Sequence, residues 1–207
     1  MMLNDKAIQT LCTVNSIFQE FGVVEKVTVP LINPFSEGVQ GEGIISYGLT
    51  SAGYDLRLDN EEVLIFKNSY GHEVDPKRFK DKKYKEELFD IRSFAAHDKI
   101  IIPPHGYILT RSYEYIHVPK FLKGRVTGKS TYARCGIVVN CTPLEPEWEG
   151  HLTIEISNSS PCPAVLYALE GIAQLELELL CGTPKITYKT KKGQYDKQIG
   201  VTCPMVK

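Results

Sequence analysis

Residues 128–158, GKSTYARCGIVVNCTPLEPEWEGHLTIEISN, gather the side chains best able to move a proton beside a polyanion. Lys129, Ser130 and Thr131 set an ammonium and two hydroxyls next to Gly128. Arg134 follows Ser130 by four residues, so one helical turn would put guanidinium and hydroxyl on the same face. Beyond the apolar run 137–139 and a Pro-punctuated loop comes a strand of period two. Leu152, Ile154 and Ile156 point to one side, Thr153, Glu155 and Ser157 to the other. A carboxylate on the polar side of such a strand, within reach of a hydroxyl and a guanidinium, is the minimum for general-base work near phosphate. Each group also has a plainer reading. A Glu on an alternating strand usually just faces water, Ser130 with Arg134 would usually be a turn cap, and Trp148 reads as a core or loop anchor.

Several familiar chemistries are excluded by spacing. GKST suggests a phosphate-binding P-loop, but only three residues separate Gly124 from Gly128 where that loop needs four. A zinc deaminase needs His-x-Glu and Pro-Cys-x-x-Cys, and neither occurs. The five histidines, His72, His97, His105, His117 and His151, lack ligand spacing, and no histidine accompanies Ser130 in a hydrolase triad.

The chain has 207 residues and a net charge of -1, enough for one domain with a substantial core and without the basic surface that nucleic acid or membrane binding needs. A small charged substrate suits this balance better than a polymer. No apolar run approaches the roughly 18 residues of a membrane span, and no basic segment leads into an apolar one at the start. Six cysteines without a CxxC pair read as free thiols. The expectation is a cytoplasmic protein.

The elements that must position the chemistry are mostly strands. One short N-terminal helix is expected after Asn4 or Asp5, followed by a Pro- and Gly-rich loop that enters a strand with Tyr54, Leu56 and Leu58 on one phase. EEVLIF is a second strand. Residues 68–94 read as a charged surface insertion, whose lysines at 80–85 are a solvated face sooner than a phosphate site. Residues 100–102 and 107–110 read as a hairpin around Pro-Pro-His-Gly, and FLKGRVTG, AVLYAL, IAQLELELL and PKITYK continue the β pattern. Many short strands with one helix predict an all-β barrel or jelly-roll-like domain.

Together with ISYGLTSAGYDLRL upstream, and with EGIAQ and the tail YKTKKGQYDKQIG downstream, the 128–158 stretch resembles the dCTP deaminases over most of the chain. The resemblance implies a mainly β, dUTPase-like distorted jelly-roll or β-clip with one short N-terminal helix, spanning 1–207 as a single domain. It further implies a homotrimer with sites at subunit boundaries, and deamination of dCTP without zinc. Carried over by position, Glu155 is the general base, and Ser130 and Arg134 the catalytic hydroxyl and guanidinium. Lys129 and Thr131 contact the triphosphate, Glu145 lies beside the deoxyribose, and Tyr188 and Gln198 bind phosphate from the tail. The carbonyl holding the water falls at Pro143, in a loop slightly shorter than in some members. Gln194 stands where many relatives have a triphosphate lysine, with Lys192 or Lys197 as the replacement. Magnesium would come bound mainly through the triphosphate, and dTTP feedback inhibition is a family trait that no residue here decides.

The tail from 188 has few apolar residues to offset an ordering cost of roughly 1–2 kcal/mol per residue, so 188–207 is expected to be a mobile lid that substrate orders. Two neighbouring activities share the fold and the phosphate turn: a dUTPase, and a bifunctional enzyme taking dCTP to dUMP and pyrophosphate. The tail lacks the Gly-rich, Ser/Thr-containing loop expected of a dUTPase. A non-catalytic nucleotide-binding module is the third reading.

Overall fold

The computed structural model describes residues 1–67 and 73–206. In chain order it runs α1 (Asp5–Cys12), β1 (Ile17–Glu20), β2 (Val23–Lys26), β3 (Ile32–Asn33), β4 (Val39–Gly41), β5 (Ile44–Thr50) and β6 (Gly53–Arg57). Then follow β7 (Val63–Phe66), α2 (Lys82–Leu88), β8 (Phe89–Arg92), β9 (Lys99–Ile102), β10 (Tyr107–His117) and β11 (Leu122–Gly128). The chain continues with α3 (Ser130–Ala133), β12 (Ile137–Asn140), β13 (Glu149–Asn158), β14 (Ala164–Tyr167) and β15 (Gly171–Leu179). The mainly β architecture with a short N-terminal helix is the one expected.

That helix forms because Ala7, Ile8 and Leu11 fall on one buried stripe, and because the Asn4 side chain accepts the Ala7 N–H at 3.0 Å. Such a cap stabilises by about 1 kcal/mol. Every named strand pair is antiparallel. Two small sheets pair β1 with β2 and β9 with β14; of the two larger sheets, one runs β12-β13-β10-β7-β8, with β3 added on β10, and the other runs β11-β15-β6-β5-β4. Their inner faces close over a common core that includes Leu56, Ile108, Ile154, Ile156 and Leu175, all without exposure. Among the described residues no helix is long and apolar enough to cross a membrane.

Three expectations need correction. Residues 100–102 and 107–110 are strands, but they do not pair with each other: β9 pairs with β14, whereas β10 pairs with β13, β7 and β3. The intervening turn, closed by Gly106 N–H donating to Pro103 O at 2.9 Å, changes sheets instead of forming a hairpin. PKITYK is not a strand. Ile186 is 70% exposed, and Thr187 and Thr190 fold the backbone into a side-chain-bonded turn, with Thr187 N–H donating to Thr190 Oγ1 at 2.7 Å. The supposed insertion at 68–94, of which 68–72 lie outside the described residues, is built into the domain from Glu73 on. Phe79, Tyr84, Leu88 and Phe89 form a second buried cluster and β8 extends the larger sheet. Lys80, Lys82 and Lys83 are exposed, as expected of a solvated face.

Candidate active site

Glu155 sits in the middle of β13, opposite Leu109 of β10 and Asn140 of β12. Strand alternation sends Ile154 and Ile156 into the core and Glu155 to the other face. That face is not open water, because the tail and the 73–79 segment fold over it. A cavity of about 630 Å³ results, into which Glu155, Pro143, Tyr188 and Gln198 are brought together. Its walls are largely apolar, from Phe66, Phe79, Leu109, Leu144, Trp148 and Leu152. The Glu155 Oε2 atom is buried and, among the described residues, has no hydrogen-bond partner. Burial pushes the carboxyl up to about 7, opposed only by a backbone hydrogen bond. The neighbouring Tyr107 and Cys141 are each pushed up to about 12, first by burial and then by Glu155 itself. Glu155 is thus the group in this cavity able to exchange a proton near neutrality.

The GKST turn lies elsewhere on the chain. Ser130 opens α3 and Arg134 caps its end, so their side chains meet, Arg134 Nη1 donating to Ser130 Oγ at 3.4 Å. Ser130, Thr131 and Arg134 are exposed, and Thr131 and Arg134 border an open groove with Ile45 and Tyr167, apart from the Glu155 cavity. Lys129 precedes them, its ammonium held on the Asp55 carboxylate and on Ser46 Oγ at 3.2 Å. Glu145 pairs with Lys191. Within one chain, therefore, Glu155, Pro143, Tyr188 and Gln198 form one group, Ser130, Thr131 and Arg134 a second, and Lys129 and Glu145 are engaged by other charges.

A family model described as dCTP deaminase-like matches residues 22–180. The chain belongs to the dCTP deaminase-like family. It is 48% identical over 182 residues to the dCTP deaminase of Chlamydia pneumoniae, covering 85% of this chain and 91% of that one. To the dCTP deaminase of Acidobacterium capsulatum it is 45% identical over 191 residues, 91% of this chain and 98% of the relative. Among solved structures, the deoxycytidine triphosphate deaminase of Agrobacterium tumefaciens superposes with a TM-score of 0.53 at 17% identity, over 86% of this chain and 48% of that chain. That likeness bears on the fold, which it supports.

Sequence reasoning missed Asp55, which holds Lys129 beside the second of these groups. Asp55, 6% exposed, is the partner of Lys129 and also accepts from Gln174 Nε2 at 3.4 Å. The only signal was a carboxylate on the polar phase of a strand between Tyr54 and Leu56. Trp148, read as an anchor, is one: its Nε1–H donates to Tyr195 O at 2.6 Å and its ring walls the cavity. Lys197, one of the two candidates to replace the lysine missing at Gln194, is tied to Glu149 at 3.2 Å.

Proposed function

We propose that this chain deaminates dCTP hydrolytically to dUTP and ammonia, in the supply of deoxyuridine nucleotides for dTTP. The observation that carries the reading is the Glu155 carboxylate, without a hydrogen-bond partner at Oε2 among the described residues and held near 7 in an apolar cavity. Family membership and the relatives named dCTP deaminase support the substrate. In this reading a water molecule rests against the backbone carbonyl at Pro143 and the Ser130 hydroxyl. Glu155 takes its proton, the oxygen attacks the ring carbon bearing the amino group, and Glu155 returns the proton to the departing nitrogen as ammonia leaves. Bulk water has a pKa of about 15.7, so without a Lewis acid a positioned base must supply the activation.

Ser130 and Arg134 stand outside the Glu155 cavity of their own chain, which supports a homotrimer in which one copy lends them to the next. Light scattering should then give three times the 23.3 kDa of one chain, and dissociation should abolish activity. A fully active monomer would contradict the boundary site. Lys129, Thr131, Tyr188 and Gln198 would hold the triphosphate with Glu145 at the sugar. Magnesium would come in on the phosphate oxygens and offset their charge. Among the described residues no three His, Cys, Asp or Glu side chains are gathered as metal ligands.

Incubation with dCTP decides the activity. Ammonia with dUTP is the expected result; ammonia with dUMP and pyrophosphate would make the enzyme bifunctional, and binding without turnover would leave a nucleotide-binding module. Addition of dTTP to the same assay tests feedback inhibition.

A further inference from the structure

Gln198 reaches the cavity because the tail around it is held almost entirely by its backbone. Lys197 N–H donates to Glu149 O at 2.8 Å and His151 N–H to Gln198 O at 2.8 Å, so the tail lies parallel to the start of β13 across Gly150. Gly150 has φ 147, and a Cβ there would stand 2.7 Å from the Gln198 nitrogen, so the close approach needs glycine. One residue on, the Arg111 guanidinium donates to the Ile199 carbonyl. Its remaining nitrogens are fixed by Asp59, Nε to Oδ2 at 2.9 Å, and Glu61, Nη2 to Oε2 at 2.7 Å. Val201 N–H then donates to Glu62 Oε2 at 2.8 Å, and Thr202 N–H to Thr153 Oγ1 at 3.1 Å. The Ile199 side chain meanwhile points to water, 77% exposed, whereas Gln198 is 8% exposed.

A buried Arg–carboxylate pair such as Arg111–Asp59 is weak evidence for stability alone, since desolvation cancels much of the attraction. Here the cluster presents one free guanidinium nitrogen to a tail carbonyl, and the substrate machinery described above uses none of its members. We infer that Arg111, Glu62 and Gly150 are positioning residues: they form a socket for the backbone of residues 197–202 of the same chain, and so set Gln198 in the cavity. The consequence for catalysis rests on Gln198 being a substrate contact. It also changes the lid: the segment is fastened beyond Gln198, so opening requires release from this socket and not only bending near Tyr188.

The test uses the full-length enzyme with Gly150→Ala, Glu62→Ala and Glu62→Gln. Arg111→Ala is avoided because it would leave Asp59, 2% exposed, buried without its charged partner. Glu62→Ala leaves the Asp59–Arg111 pair intact and removes one tail acceptor, and Glu62→Gln retains an amide oxygen for Val201 N–H. Expected are cleavage by trypsin at Lys191, Lys192 or Lys197 about tenfold faster and a KM for dCTP about tenfold higher for Gly150→Ala and Glu62→Ala. Changes in kcat should be much smaller, and Glu62→Gln should behave as the unaltered protein. A merely structural role would lower the melting temperature and leave KM unmoved. Unchanged tail cleavage in both variants would overturn the socket, and faster cleavage with unchanged KM would overturn its positioning role. If the unaltered protein releases no ammonia from dCTP, the proposed function fails, while the cleavage rates still decide the socket.

Discussion

Glu155→Gln should bind dCTP with little change and deaminate it at least about 10² more slowly, because the amide keeps the size and polarity of the carboxylate and loses the base. The substitution should also stabilise the folded protein at alkaline pH. Burial raises the Glu155 carboxyl from its ordinary value of 4.5 to about 7, so the fold prefers it protonated. That contribution is fully present below 4.5 and is lost as the pH rises through about 7. The glutamine variant should therefore melt higher than the parent at pH 8 and no higher at pH 4. Near-normal turnover in this variant would remove Glu155 from the mechanism.

The pH profile of the parent enzyme should show the same group. With its carboxyl at about 7, Glu155 is ionised and active above neutrality and protonated below it. Deamination should fall tenfold per pH unit on the acid side, by about 10² at pH 5 relative to the plateau. Tyr107 and Cys141, each near 12, stay protonated throughout this range and add no limb of their own near neutrality. Steady-state kcat/KM for dCTP from pH 5 to 9 checks this, provided light scattering shows the assembly intact at each point. A flat profile would mean that the base titrates elsewhere or that proton removal does not limit the rate.

Local pattern made much of this legible. The alternation at 152–157 identifies β13 and separates Glu155 from the core because strand side chains alternate whatever surrounds them. What it leaves out is the cover on the Glu155 face, which comes from the tail and from Phe79, far away in sequence. A residue that alternation assigns to solvent becomes a desolvated carboxyl through contacts that no local rule reports. The same limit explains the misread hairpin. Residues 100–102 and 107–110 have strong β propensity, but propensity does not choose partners, and the Pro-rich turn carries the chain from one sheet to another. Asp55 was overlooked because its burial is offset by Lys129, whose placement depends on β6 and α3 meeting in space. In the tail, lysines and few apolar residues suggested freedom. The backbone hydrogen bonds from Lys197 to Thr202 that hold it arise from Gly150 and Glu62, whose roles only the folded chain discloses.

Mixing two inactive variants tests whether Glu155 of one copy works with Ser130 and Arg134 of another on dCTP. Glu155→Gln and Arg134→Ala, each assembled alone, should release almost no ammonia. Dissociated and reassembled together in equal amounts, they should recover about a quarter of the parent activity per site, because random assembly joins an intact Glu155 to an intact Arg134 at that share of boundaries. Mixed assemblies confirmed by mass and still inactive would place all three residues in a single chain's site and contradict the account.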